Sequence, residues 1–210
     1  MANDPIAAPA ATPHEDAQTR ILRFLWRSRA EWSGREIARK VGLSAPSCHE
    51  ALKKLDARGL VQFRRVSNVH LYAINGASYL LKNAYVPFFK AHEAMPQEID
   101  ALIKRTLAGP PKEGVVSIGI FGSMARGTAS LGSDLDLFVV LANREGKMHL
   151  EPRIEKLRLE LWRSFHLALS PYAETVADLR LKHKRKLPLI LEILKDGRVI
   201  HGKEIKELLS

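Results

Sequence analysis

The stretch IGIFGSMARGTASLGSDLDLFVVL, from Ile118 to Leu141, consists of two short apolar runs on either side of a small polar loop. The first run ends at Gly122, and Asp134 and Asp136 interrupt the start of the second. Apolar runs of this length, bounded by turn residues, predict two buried strands. Because side chains alternate along a strand, Asp134 and Asp136 project from the same face. The sequence therefore predicts two carboxylates that converge at the start of a strand.

Asp134 and Asp136 need a compensating partner, because adjacent carboxylates at the edge of an apolar sheet repel each other. Oxygen ligands select a hard divalent ion, so Mg²⁺ (or Mn²⁺) is the expected metal. Upstream, Gly122 allows a turn without a Cβ, and Ser123 offers a hydroxyl and a backbone N–H. Such a turn, which leads into a helical segment, is typical of a phosphate cradle.

Gly122-Ser123, ten intervening residues and Asp134-Leu135-Asp136 together resemble the GS-x10-D-x-D signature of the DNA polymerase beta-type nucleotidyltransferases. The neighbouring ARG and SD, with Arg126 and Ser133, are similar to the minimal bacterial and archaeal branch. The resemblance implies that the Gly-Ser turn holds the phosphates of an NTP and that the two Asp residues bind the metal. It further implies transfer of a nucleotidyl group with release of pyrophosphate, with Arg126 and Ser133 in the nucleotide-binding site.

The next predicted strand, residues 165–170, departs from the family pattern. Active members supply a third carboxylate from this strand, but FHLALS contains none. Three interpretations stay open. Glu174 supplies the missing catalytic carboxylate from the following loop, His166 acts as a substitute base, or the domain binds an NTP with little or no transfer.

The N-terminal part of the chain predicts a different module. Apolar residues at helical spacing predict a first helix over 15–30, a second over 35–41 that begins with a capping box at Ser33 and Glu36, and a third over 46–58. Two β-like runs around Ser67-Asn68 predict a hairpin over 60–74. Three helices followed by a hairpin resemble the winged helix-turn-helix of bacterial and archaeal transcriptional regulators.

That resemblance implies that the third helix enters the major groove of double-stranded DNA and that the hairpin flanks it. Residues 15–75 carry twelve Lys or Arg and six Asp or Glu, a net charge of +6. The alternative is an interaction or dimerisation module. The candidate DNA contacts are Ser44, Ser47, His49, Lys53, Lys54, Arg64, Arg65 and His70.

Composition supports an anionic partner, because the chain of 210 residues has a net charge of +10. The single cysteine, Cys48, excludes an internal disulfide and a Cys-based zinc cluster, and we expect it to face a core. No apolar run approaches the roughly 18 residues that span a bilayer. The sequence thus predicts a cytoplasmic protein with no membrane association.

We predict an α+β chain with four parts: a flexible tail (1–14), a winged helix-turn-helix (15–75), a linker of helices broken near Pro87 and Pro96 (76–110) and a minimal nucleotidyltransferase domain with a mixed sheet (111–210). The expected function is Mg²⁺-dependent transfer of NMP from an NTP to an acceptor that the sequence does not identify, with a protein and an RNA as the two candidates. One alternative is a transcriptional regulator whose second domain senses nucleotide or is catalytically weak. Another is an antitoxin-like modifier of a partner protein. By analogy with winged-helix regulators, a homodimer is a further expectation.

Overall fold

The computed structural model describes residues 16–109, 114–130 and 132–210. These residues form two compact units that divide between Glu93 and Ala94. The border lies inside the segment that the sequence assigns to a helical linker, and the four domain limits given above stay predictions. The predicted tail, 1–14, lies outside the described residues.

The first unit contains three helices and a small antiparallel sheet. The helices are α1 (Ala17–Ser28), α2 (Gly34–Val41) and α3 (Ala45–Ala57), and the strands are β1 (Trp32–Ser33), β2 (Val61–Val66) and β3 (Val69–Ile74). The strand order is β1-β3-β2. The predicted capping box is present, since the Ser33 hydroxyl accepts from the Glu36 N–H and the Glu36 carboxylate accepts from the Ser33 N–H. Cys48 is buried in the core of this unit.

A long helix, α4 (Val86–Leu107), follows a π-helical turn (Leu81–Tyr85) and includes the border between the units. Phe89 belongs to the core of the first unit, whereas Ile99 and Ile103 belong to a core of the second. The predicted breaks near Pro87 and Pro96 are wrong. At Pro87 the chain stays helical and changes from the π-helical turn to α4, and Pro96 is accommodated inside α4.

The second unit is built around a mixed four-stranded sheet. Its strands are β4 (Val115–Phe121), β5 (Leu135–Leu141), β6 (Leu169–Thr175) and β7 (Arg198–Gly202), in the order β6-β5-β4-β7. The β5–β6 pair is parallel, because the long helix α6 (Glu145–Phe165) carries the chain back between these strands, and the other two pairs are antiparallel. The remaining helices are α5 (Gly122–Arg126), α7 (Val176–Lys184), α8 (Pro188–Asp196) and α9 (Ile205–Leu209).

The two faces of this sheet have separate cores. Leu135, Leu137 and the other odd-numbered residues of β5 pack with α4 and α6. Phe138 and Val140 pack with α7, α8 and α9. Asp136 shares the face of Phe138, so its carboxylate lies on the side of the sheet that α7, α8 and α9 cover.

The strand predicted over 165–170 begins later than expected, at Leu169. Helix α6 continues to Phe165, and His166 ends it in the left-handed conformation, with φ of 52°. The His166 ring packs against Trp162, and its Nδ1 atom lies 3.0 Å from the Trp162 carbonyl oxygen. His166 is thus a helix cap and not a strand residue. Among the described residues, no helix is both long and apolar enough to cross a membrane.

Candidate nucleotide site and DNA-binding face

The turn at Gly122 lies directly against Asp136. Strand β4 ends at Phe121, which is the antiparallel partner of Asp136 on β5. Gly122 has φ of +71°, and a Cβ built on it would lie 2.1 Å from the Asp136 Oδ2 atom. Only glycine therefore satisfies both the backbone conformation and the available space. The geometry places the predicted phosphate turn and a predicted metal ligand in direct contact.

Asp134 and Asp136 lie together at the N-terminal end of β5, as the alternation predicted. Asp134 is exposed and Asp136 is half-buried. Burial raises the pKa of the Asp136 carboxyl, and the charges of Asp134 and Glu192 add to this, whereas Arg126 opposes it. Neither carboxylate accepts a hydrogen bond from any residue that the structure describes. Two oxygen donors of this kind suit one hard divalent cation that completes its shell with water and phosphate.

The described part of the chain holds no group of three or more His, Cys, Asp or Glu side chains placed to bind a metal. The Asp134 and Asp136 pair stays the predicted donor set.

Arg126, the last residue of α5, is held by two carboxylates of α8. Its Nη1 atom donates to Glu192 Oε1 at 3.1 Å and to Asp196 Oδ2 at 2.9 Å. Sequence reasoning missed both carboxylates, which lie 66 and 70 residues from Arg126 in the chain. No local pattern could have indicated them, because a surface helix carries acidic residues for many reasons.

Ser133 shapes the loop that leads to the carboxylate pair. Its hydroxyl oxygen accepts a hydrogen bond from the Ser130 N–H at 2.9 Å. Ser123 lies at the second position of α5, and its carbonyl oxygen accepts from the Thr128 N–H at 2.9 Å. The two serines of the predicted nucleotide site therefore accept hydrogen bonds at the two ends of the segment between β4 and β5.

The structure does not bring Glu174 to Asp134 and Asp136. In the parallel β5–β6 register, Asp136 is the partner of Ser170, and Glu174 is the partner of Val140. Four residues along a strand correspond to roughly 13 Å. Glu174 instead pairs with Lys182 of α7 and lies 3.8 Å from Lys147.

The first unit has a groove between α3 and the β2–β3 hairpin. Its volume is about 660 Å³. The predicted contacts His49 and His70 line it. Lys53 and Lys54 are exposed on α3. Sequence reasoning missed Arg35, a basic residue at the start of α2 that also lines the groove.

Several of the remaining predicted DNA contacts already make hydrogen bonds within the protein. The Ser44 hydroxyl caps α3 by accepting from the Ser47 N–H at 3.2 Å. Arg64 is bound by Glu31 through Nε and Nη2, at 2.8 and 2.5 Å. Arg65 is the cross-strand partner of His70, whereas Arg64 projects from the opposite face of the hairpin. Arg65 and His70 therefore share the face that borders the groove.

The two units thus define a winged helix-turn-helix module and an α/β unit whose central strand carries a carboxylate pair beside a Gly-Ser turn. Comparison with protein-family models agrees with this description of the two units. Residues 15–62 match the family "Winged helix-turn-helix DNA-binding", and residues 101–201 match the family "Nucleotidyltransferase domain". The chain therefore carries a winged helix-turn-helix DNA-binding domain followed by a nucleotidyltransferase domain. The predicted architecture and the α+β fold class are confirmed.

Several solved structures are similar to parts of the chain. Wild-type ZitR from Lactococcus lactis is 20% identical over 45% of this chain and 64% of its own, with a TM-score of 0.33. Wild-type ZitR in complex with DNA is 22% identical over 50% of this chain and 69% of its own, with a TM-score of 0.29. A structure entitled "Crystal structure of the toxin-antitoxin with AMP-PNP" is 17% identical over 52% of this chain and 80% of its own, with a TM-score of 0.34.

The matched regions span 59% and 64% of two of the ZitR chains. No curated protein matches the sequence significantly.

Proposed function

We propose that the second domain transfers an NMP group from an NTP to an acceptor hydroxyl with the help of Mg²⁺. Gly122 and Ser123 hold the phosphates through the turn, and Arg126 balances their negative charge. Asp134 and Asp136 hold the ion, which supplies a counter-charge to the phosphates when bound. The acceptor is a hydroxyl of a protein or an RNA.

The observation that supports this proposal most directly is the contact between Gly122 and Asp136. A Cβ at residue 122 would lie 2.1 Å from the Asp136 Oδ2 atom. The close approach leaves the phosphate turn and the ion-binding carboxylate within reach of a single triphosphate. A carboxylate that merely capped a strand would not require a left-handed glycine against its oxygen atom.

Calorimetric titration with a non-hydrolysable NTP, with and without Mg²⁺, tests the metal and nucleotide assignments. We expect Mg²⁺-dependent binding to the wild-type protein and none to the Asp134→Asn/Asp136→Asn double variant, because an amide does not replace the charge of a carboxylate toward a hard cation. Glu98→Gln, at an exposed position of α4, is the control and should bind as the wild type does. Equal binding by the double variant would refute the site.

A second candidate function is a nucleotide sensor within a transcriptional regulator. The observation that favours it is Ser170, which occupies the β6 position beside Asp136. A hydroxyl there neither binds a second ion strongly nor takes a proton from an acceptor at neutral pH. Incubation with labelled NTPs and cell extract separates the two functions: a transferase labels an acceptor and releases pyrophosphate, whereas a sensor binds nucleotide and releases none.

We also propose that the first domain binds double-stranded DNA through α3 and the hairpin. Lys53 and Lys54 are placed for phosphate contacts, and His49 and His70 line the groove beside α3, with Arg65 the cross-strand partner of His70. Binding of a fluorescent duplex over a salt series tests this. The slope of log K against log salt is negative, and its magnitude decreases by about 0.9 for each phosphate that the protein no longer neutralises.

The Lys53→Ala/Lys54→Ala variant should therefore show a slope that is flatter by about 1 to 2. Arg163→Ala, at an exposed position of α6 in the other unit, removes a positive charge that does not belong to this surface and should leave the slope unchanged. Identical slopes for wild type and the double Lys variant would contradict the assignment of this face.

A further inference from the structure

Helix α8 carries two carboxylates, one in its middle and one at its last residue, that converge on one cation. Glu192 and Asp196 are one helical turn apart, and both accept a hydrogen bond from the same nitrogen, Nη1 of Arg126. The Asp196 side chain is 14% exposed and that of Glu192 is 43% exposed. The two residues thereby connect the C-terminal turn of α8 to the end of α5, the helix that begins with the Gly-Ser turn.

The position of Asp196 is unfavourable for the helix itself. A negative charge at the C-terminus of a helix is destabilising, because the free carbonyl groups there carry partial negative charge. Glu192 in addition acts electrostatically against Asp136. Neither effect stabilises α8 or the carboxylate pair, so the ion pair with Arg126 is the interaction that accounts for the placement of these two residues.

Arg126 keeps hydrogen-bonding capacity while it is held. An arginine side chain has five N–H donors on three nitrogens. Within the described residues, Nη1 makes the two bonds to α8, and Nε and Nη2 make none. The Arg126 side chain is 40% exposed. The guanidinium is therefore fixed at one nitrogen and open to solvent.

We propose that Glu192 and Asp196 are positioning residues that fix Arg126 beside the Gly-Ser turn, so that its Nε and Nη2 groups donate to a phosphate of the bound nucleotide. This inference rests on the proposed function of the domain, and it makes α8 part of the nucleotide site. A guanidinium that is already oriented loses less conformational entropy on binding phosphate than a free one does.

Affinity for Mg²⁺ and a non-hydrolysable NTP, measured by calorimetry on the full chain, tests the proposal. Asp196→Ala should weaken binding by about tenfold, the scale of one missing charge-assisted hydrogen bond. Asp196→Asn keeps an acceptor oxygen for Arg126 and should restore most of the affinity. Glu192→Ala, at the more exposed position, provides a second variant whose folding is less affected. Glu207→Gln, an exposed carboxylate on α9, is the control for charge alone.

A double-mutant cycle shows whether Asp196 acts through Arg126. In an Arg126→Ala background, Asp196→Ala should change the affinity by less than about twofold, because the group that it positions is gone. Equal effects of Asp196→Ala in both backgrounds would overturn the proposal. So would tighter binding by both Asp196→Ala and Asp196→Asn, since the carboxylates would then only repel the anionic ligand.

The same titration distinguishes failure of the proposed function from failure of the positioning role. If the wild-type protein binds no non-hydrolysable analogue of ATP, GTP, CTP or UTP with Mg²⁺, both the proposed function and the positioning role are overturned. A wild-type protein that binds, together with an Asp196→Ala variant of unchanged affinity, overturns the positioning role alone.

Discussion

Replacing Gly122 with alanine tests the contact on which the candidate site depends. Gly122 has φ of +71°, and the new Cβ would lie 2.1 Å from the Asp136 Oδ2 atom. Gly132→Ala is the matched control, because Gly132 has φ of +82° and no described atom lies within 4 Å of the position that its Cβ would take. The two substitutions share the backbone strain and differ in the clash with the carboxylate.

The expected losses in the free energy of unfolding follow from the backbone strain and the clash. A left-handed conformation costs a non-glycine residue about 1–2 kcal/mol, and both variants incur it. Gly122→Ala should lose an additional 1–3 kcal/mol or so, since an extra carbon in a packed site forces its neighbours to shift. The Asp136 carboxylate has to move by at least about 1.3 Å to restore an ordinary contact of 3.4 Å or more. In the proposed site, a carboxylate displaced this far would no longer meet a metal ion at the required distance.

Two measurements check these expectations. Scanning calorimetry of the full chain gives the unfolding transitions of the variants, and titration with Mg²⁺ and a non-hydrolysable NTP gives their affinity. We expect Gly132→Ala to be moderately destabilised and to retain nucleotide binding. Gly122→Ala should be less stable than the control and bind at least about tenfold more weakly, a loss of about 1.4 kcal/mol. Identical unfolding of the two variants, together with wild-type binding by Gly122→Ala, would refute the role assigned to this contact.

Three further predictions concern other parts of the two units. Asp100→Ala should lower the free energy of unfolding, measured in urea, by about 3 kcal/mol, because it leaves the largely buried guanidinium of Arg198 without its ion-pair partner. The two hydrogen bonds of this bidentate pair are 2.7 and 2.8 Å long. The double variant Asp100→Ala/Arg198→Met should recover part of the loss. Arg64→Ala should weaken binding of a DNA duplex less than Arg65→Ala does, in a fluorescence titration. Arg64 is engaged by the charged Glu31 carboxylate, whereas Arg65 donates to two neutral oxygens of the hairpin turn, the Ser67 carbonyl and Asn68 Oδ1; the reverse order would contradict the assignment of faces. Ser170→Asp should raise the rate of pyrophosphate release by about tenfold or more, because it places a third carboxylate next to Asp134 and Asp136. An unchanged rate would show that the lack of a carboxylate at this position of β6 is not what limits turnover.

The carboxylate pair and its turn were predictable because their signal is local. Asp134 and Asp136 alternate with buried leucines, and alternation determines the face of a strand whatever the rest of the fold is. Gly122 precedes them by a short loop, so the two strands that carry the motif pair with each other. The capping box at Ser33 and Glu36 was predictable for the same reason, since both residues lie within one helical turn.

The environment of that pair was not predictable, because it depends on register and on distant segments. The limit between α6 and β6 is decided by the left-handed cap at His166, a conformation that the apolar run around it does not signal. The later start of β6 makes Ser170 the partner of Asp136 and moves Glu174 away from it. The ion pair of Arg126 with Asp196 requires the whole of the second unit to bring α8 to α5.

In the proposed function, nucleotide binding and turnover depend on opposite sides of the candidate site. On the side of the turn, the described residues supply a left-handed glycine, two carboxylates and an arginine that α8 holds in place. On the side of β6, an edge strand of the sheet, they supply the exposed hydroxyl of Ser170. In the proposed function, phosphate and metal binding would use the first set, whereas deprotonation of an acceptor would need a base on the second side. Substitutions at Asp196 should therefore change nucleotide affinity, and substitutions at Ser170 should change the rate of transfer at unchanged affinity.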